Sequence, residues 1–343
     1  MQLKETQKPI YLYGMGDGAE KILDHLNELG IPVRGIFASD GFVRHQSFRS
    51  YRVISYEEAS RENPEMVILL CFGTHLPEVL KHIRSLAEKQ ELYVPDVPVC
   101  GGEIFDLSFA RRHRRELTEV YNRLADDLSR QTFYHHVLFK LTGNPEHLHE
   151  CETPRAKILR LLPLCDSEFF LDLGAYTGDT VHEWMTLTKG QFRRIIAVEP
   201  DPRSFAKLFA FCRNDPRVFP VHACIGEQSG TVNFHAAGGR NSSREGKGKV
   251  CPVACLNLDS WIFHQPITCL KMDIEGSEAA AIAGAKRLIA EKSPNMMIAA
   301  YHKSADLFRI PLLIDQINPS YKIYLRHEAC LPAWDTEFLF VKS

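Results

Sequence analysis

Apolar and polar positions along the chain fall into two separate series of alternating elements. Between Ile10 and about Pro98 the short apolar runs IYLYG, VRGIFAS and MVILLCFG alternate with segments whose apolar residues recur at helical spacing. In GAEKILDHLNELG those residues are Ile22, Leu23, Leu26 and Leu29, and LPEVLKHIRSLAEK follows the third run. Continuous apolar runs separated by amphipathic helices predict a parallel sheet covered on both faces. From Leu107 to Leu162 the pattern turns helical and rich in charge, with a break at Gly143-Asn144-Pro145. A second series begins at Phe169. It runs FFLDLG, a helix over Thr180 to Leu187, RRIIAVEP, a helix over Ser204 to Cys212, and VFPVHACIG. GTVNFH and KVCPVACLN then flank the polar loop GGRNSSREGKGK and read as a hairpin. TCLKMDIEG, a helix through AAAIAGAKRLIAE, MMIAAYH and a helix near Ala305 to Ile317 come next, before YKIYLRH and EFLFVKS close the chain. The turn between these last two runs is too short for a helical crossover, so they must pair antiparallel.

Composition changes this picture little. With 343 residues, 45% of them apolar and 24% charged, the chain can bury about two cores. Lys and Arg number 41 against 43 Asp and Glu, which leaves no broad basic footprint for nucleic acid. The basic run Arg111 to Arg115 is short and reads as a solvated helix face. The longest apolar run, Met66 to Phe72, is far below the ~18 residues of a membrane span, and MQLKETQKPI lacks a signal-peptide core, so a cytoplasmic protein is expected. Ten cysteines are scattered, with Cys251 and Cys255 the only close pair, and they read as core thiols in a reducing compartment.

Two glycine turns carry the candidate chemistry. In YLYGMGDGAEKIL, Gly14 and Gly16 form GxG with Ala19 at the third fingerprint position, and Asp40 follows the next strand. The helix start there could cradle the phosphate of a nucleotide or nucleotide-sugar, or nothing at all. No Tyr-x-x-x-Lys pair accompanies it, so hydride transfer is disfavoured. The second turn is LDLGAYTGDT, where Asp172 ends a strand, Gly174 lets the chain reverse and leaves room beside the backbone, and Gly178 lets a helix begin close by. Ala175, Thr177 and Asp179 belong to the same expected cofactor-binding turn. The following strand ends in Glu199, whose carboxylate can accept both hydroxyls of a ribose.

FFLDLGAYTGDT, IIAVEPDP, SGTVNF, CLNLDSW, LKMDIEGSEAAAIAGAKRLI and YHKSADLF before YKIYLRH, in this order, resemble the FkbM family of S-adenosylmethionine-dependent methyltransferases from about Phe169 to Ser343. KMDIEGSE is the most specific of these strings. The resemblance implies a class I Rossmann-like α/β domain over 163–343, with a seven-stranded, mostly parallel sheet and an antiparallel last strand, acting on hydroxyl groups of saccharide or polyketide intermediates. A smaller Rossmann-like unit over 1–106 and a helical connector over 107–162 would precede it. The expected acceptor is a small, sugar-like hydroxylated molecule.

Methyl transfer to an alcohol needs a group to take the acceptor proton. TCLKMD ends at Asp273, with Glu275 two residues on, and the Asp-Ile-Glu-Gly turn replaces the Asn/Asp-Pro-Pro-aromatic turn of amino methyltransferases, which favours oxygen as acceptor. His302, in AAYHK, could be the general base, oriented by Asp273 or Glu275. Alternatively Asp273, Glu275 and His302 together hold a divalent cation, or His302 is structural. Lys271 reads as support for a carboxylate, and His135, His136, His147 and His149 as ordinary helix and loop histidines. In the polar loop, Asn241, Ser242, Ser243 and Arg244 would grip acceptor hydroxyls or a phosphate. The competing function is a nucleotide-sugar or dinucleotide-binding protein with a catalytically inactive methyltransferase-like half.

Overall fold

The computed structural model describes residues 2–44, 46–98, 100–236 and 249–342. Two sheets dominate it, as the two series of alternating elements imply. The first comprises β1 (Ile10–Tyr13), β2 (Gly35–Ala38), β3 (Ser47–Phe48), β4 (Tyr51–Ser55), β5 (Val67–Leu70) and β6 (Glu91–Tyr93) in the order β3-β4-β2-β1-β5-β6. All pairs are parallel except the short β3–β4 hairpin. β1, β2 and β5 are buried along their whole length, which is why their sequences read as unbroken apolar runs. β4 and β6 were less legible, because their edge positions mix Arg, Ser and Glu into the pattern.

The second sheet comprises β7 (Phe169–Leu173), β8 (Arg194–Val198), β9 (Val218–Val221), β13 (Cys269–Met272), β14 (Asn295–Ala299), β15 (Lys322–His327) and β16 (Thr336–Val341). Its order is β15-β16-β14-β13-β7-β8-β9, with β16 antiparallel to both neighbours and the other pairs parallel. Between β9 and β13 the chain adds a small sheet of β10 (Cys224–Ile225), β11 (Gly230–Ala236) and β12 (Lys249–Leu256), in which β11 and β12 form the expected antiparallel hairpin. One helix is interrupted. AAAIAGAKRLIAE is α-helical over Glu278–Ala283 and resumes as a π-helix over Leu288–Lys292, the break falling at Gly284, where a Cβ would come within 2.3 Å of the carbonyl of Gly226.

The charge-rich middle of the chain is helical over Leu107–Arg112, Arg114–Arg123 and Asp127–Thr142, and Gly143 ends the last of these in the left-handed conformation. These helices join the two sheets rather than merely spacing them. Phe139 and Leu148 lie in the core of the first sheet together with Leu331 and Ala333 from the turn between β15 and β16. In the other direction Phe105 is buried in the core of the second sheet. Thr74 and Leu331 exchange backbone hydrogen bonds of 2.7 and 3.0 Å, and Gly73 lies so close to Trp334 that a Cβ would meet the indole at 2.0 Å. The expected divisions at 106/107 and 162/163 follow the elements, but the two cores interlock across them.

At the first glycine turn Gly14 and Gly18 have packing reasons, while Gly16 has open space beside it and a φ of +118°. A Cβ on Gly14 would meet the Phe72 ring at 2.5 Å, and one on Gly18 the carbonyl of Cys71 at 2.3 Å. The helix that starts there, Asp17–Glu28, carries Asp17 and Glu20 in its first turn, which opposes an incoming phosphate. Among the described residues no helix is long and apolar enough to cross a membrane.

Candidate active site

In the second sheet the strand order reverses at β7, which pairs with β8 on one side and β13 on the other. Chain connections leave such a point in opposite directions, so a crevice opens at the carboxyl ends of these strands. Here it is a cavity of about 810 Å³, within the ordinary range for a small-molecule site.

Gly174, Asp179 and Glu199 line it. Gly174 has φ +85° and its N–H donates to Val198 O, so the turn is bound to the neighbouring strand. A Cβ here would lie 1.8 Å from the carbonyl oxygen of Asp273, so Gly174 is required by the approach of β13's end rather than only by space for a ligand. Ala175 and Gly178 are buried behind the turn, Thr177 is half-buried, and a Cβ on Gly178 would meet the Phe211 ring at 2.8 Å. None of these three lines the cavity. Glu199 accepts 2.8 Å hydrogen bonds from the backbone N–H groups of Tyr176 and Asp201, and burial pushes its carboxyl up to about 7 despite them. Asp172 is wholly buried one layer deeper, with neither oxygen hydrogen-bonded and Lys271 Nζ 3.9 Å away, and burial pushes it up to about 7 as well.

On the other side of β7, Asp273 and Glu275 line the cavity and His302 does not. The His302 side chain is 1% exposed and sits behind the two carboxylates, with Nε2 3.4 Å from both Asp273 Oδ1 and Glu275 Oε2. Its Nδ1 lies 3.0 Å from Oε1 of Glu278, itself wholly buried. Burial alone would lower the imidazole, but Glu278 and Glu275 hold it well above its usual range. The expected base thus lies behind Asp273 and Glu275 rather than on the cavity wall. Asp273 is opposed by burial, yet Lys271 and His302 hold it below the usual carboxylate range, and Tyr301 donates its hydroxyl to Oδ1 at 3.0 Å. Lys271 Nζ is 3.4 Å from Asp273 Oδ2, the supporting position read from the sequence. Burial raises Glu275.

Several cavity residues escaped the sequence reading. Arg155 reaches the wall from the connector and binds Glu183, Glu328 and Glu337 at 2.8–2.9 Å. His75 and Trp334 come from the two segments joined by the Thr74–Leu331 bridge, and no local pattern marks them. Cys100 lies 3.8 Å from Glu275, with its thiol pushed up to about 12 by burial. Glu278 ends the string KMDIEGSE and could have been found there, since an acid beside a helix start is a common partner for a buried imidazole. His136 is buried against His327, away from the cavity. Asn241, Ser242, Ser243 and Arg244 lie outside the described residues, although Phe234 of β11 borders the cavity.

Residues 172–317 match the family described as "Methyltransferase FkbM domain". Over 97% of this chain and 90% of the other, the structure resembles the crystal structure of methyltransferase FkbM from Methylobacillus flagellatus KT, at 26% identity and a TM-score of 0.74. Partial overlaps include Aeropyrum pernix fibrillarin with natively bound S-adenosyl-L-methionine (17% identity, 54% of this chain and 73% of that one, TM-score 0.35). Another is a precorrin-6y C5,15-methyltransferase from Geobacter metallireducens GS-15 (15%, 55% and 87%, TM-score 0.36). At those scores they bear on neither the site nor its chemistry. No curated relative matches the sequence.

Proposed function

We propose, from the match of residues 172–317 to the FkbM methyltransferase domain, that the protein transfers a methyl group from S-adenosylmethionine to a hydroxyl of a small, sugar-like acceptor. The observation that carries this reading is the placement of Glu199 and Asp273 on one cavity, at the ends of the two strands that flank β7. The residues fit the cofactor. Glu199 keeps its carboxylate fixed by two backbone N–H groups with lone pairs left for a ribose, and Asp172, without a hydrogen bond and facing Lys271, lies buried behind the turn. When bound, S-adenosylmethionine supplies an electrophilic methyl group.

The chain's own part is alignment and proton removal. Lys271 and Tyr301 fix Asp273 at the cavity wall, and His302 fixes Asp273 and Glu275 from behind. The acceptor hydroxyl would enter beside these two carboxylates, with Glu275 as the proton acceptor and His302 as a positioning residue. The test is transfer of labelled methyl from S-adenosylmethionine to a panel of simple glycosides and nucleotide sugars. Label on a hydroxyl oxygen supports the reading, and cofactor binding with label appearing only on nitrogen or carbon acceptors contradicts it.

A further inference from the structure

An alcohol is a far weaker acid than a carboxylic acid, so a carboxylate alone is a poor match for the proton it must take. The arrangement around His302 contains what would close that gap. Asp273, Glu278 and His302 each bring a ligand-type atom to within 4.8 Å of the others, and Glu275 Oε2 lies 3.4 Å from the imidazole. Nε2 of His302 is 3.4 Å from Asp273 Oδ1 and 3.4 Å from Glu275 Oε2. Ligand atoms held at roughly 2.0–2.2 Å from one cation at right to tetrahedral angles stand about 3–3.5 Å apart. Neither ring nitrogen of His302 has a well-directed hydrogen bond, although the residue is wholly buried. Glu278 Oε1 is pinned by the N–H of Ile274 at 3.0 Å and faces Nδ1, which leaves Nε2 turned toward Asp273 and Glu275. A carboxylate behind the far nitrogen of an imidazole is the usual support of a metal-ligating histidine.

The geometry points to a divalent-cation site formed by His302 Nε2, Asp273 Oδ1 and Glu275 Oε2, in which the ion takes the place of the proton on Nε2 and that proton is released to solvent, with Glu278 orienting the imidazole. One imidazole and two carboxylates suit a hard or borderline ion such as Mn²⁺, Mg²⁺ or Zn²⁺ and not a soft one. Asp273 and Glu275 line the cavity while His302 lies behind them, so the open coordination positions face the space into which the acceptor enters. A hydroxyl that completes the coordination there is acidified enough to pass its proton to a carboxylate. This role rests on the methyl-transfer reading, whereas the binding site itself does not.

The experiment uses the full chain, freed of metal with a chelator and titrated with Mn²⁺, read by the loss of the free-ion electron paramagnetic resonance signal. S-adenosylhomocysteine binding is measured calorimetrically on the same samples. One Mn²⁺ per chain is expected, weakened more than tenfold by Glu275→Gln and by His302→Ala, and about 10- to 100-fold by Glu278→Gln. If His302→Ala fails to fold, Glu275→Gln decides, because that side chain is already a quarter exposed. Absence of Mn²⁺, Mg²⁺ and Zn²⁺ binding in the folded wild type would overturn the site, as would unchanged Mn²⁺ affinity in the folded variants. Mn²⁺ binding without S-adenosylhomocysteine binding would uphold the cation site and sink the methyl-transfer reading. The reverse pattern would do the opposite.

Discussion

The α-carbon of Gly174 lies against the carbonyl oxygen of Asp273, so close that a Cβ would come within 1.8 Å of it. The loop after β7 and the end of β13 are thereby locked together, and with them the two halves of the cavity. Gly174→Val is expected to break the carboxyl edge of the sheet as well as ligand binding, since a backbone oxygen cannot swing aside as a side chain can, and φ is +85°. Even Gly174→Ala should lower the melting temperature by several degrees, and a melt that matches wild type would show that the edge yields.

Glu199 and Asp172 are both held at about 7, above their unfolded range near 4, by burial. Their contribution to the stability of the ligand-free fold is therefore present below about pH 4 and is lost as pH rises through 7. Ribose hydroxyls favour the ionised Glu199, so S-adenosylhomocysteine affinity should fall up to about tenfold per pH unit below 7. Glu199→Ala should cost about 2–3 kcal/mol at pH 8. Calorimetric titrations at pH 5.5, 6.5 and 8 check both, and a flat profile for wild type would remove Glu199 from the ribose.

Arg326 on β15 is 3% exposed and binds Asp126, Ser129 Oγ at 2.7 Å and Leu325 O at 2.8 Å. It ties the start of the helix Asp127–Thr142 to the second sheet. Arg326 is buried while Asp126 is about a third exposed and keeps its bond from Ser129 N, so Arg326→Met should cost about 2 kcal/mol in urea unfolding. A loss below about 1 kcal/mol would mean that solvent already satisfies Asp126.

A chain beginning at Leu107 loses Cys100 and Phe105 and strips the cover from Phe139, Leu148 and Leu331. Each large apolar side chain uncovered costs about 1.5–3 kcal/mol, so this fragment should aggregate or lack a cooperative melt. A soluble, cooperatively folded fragment that binds S-adenosylhomocysteine would show that the interlocked cores are separable.

The legible parts of the molecule were those encoded locally. Strands such as FFLDL and NMMIA are buried on both faces and read as apolar runs, and the acidic ends of β8 and β13 follow directly from them. What stayed hidden depends on contacts between distant segments. Arg155, His75 and Trp334 reach the cavity, and Cys100 reaches Glu275, from four separate places in the chain, and no spacing rule joins them. For His302 the sequence shows that a histidine ends a strand and not that three carboxylates enclose it. At the first glycine turn, the spacing could not show that Gly14 and Gly18 make room for Phe72 and Cys71 of the same chain.

The central claim is that the cavity at the carboxyl ends of β7, β8 and β13 is built for S-adenosylmethionine. Its most direct test is calorimetric titration of the wild-type chain with S-adenosylmethionine and S-adenosylhomocysteine, with NAD and UDP-glucose in parallel. One molecule of each sulfur-bearing ligand per chain at micromolar affinity is predicted, with little heat from the other two. No binding of either, or binding of NAD or UDP-glucose in their place that Glu199→Ala leaves untouched, would contradict the account.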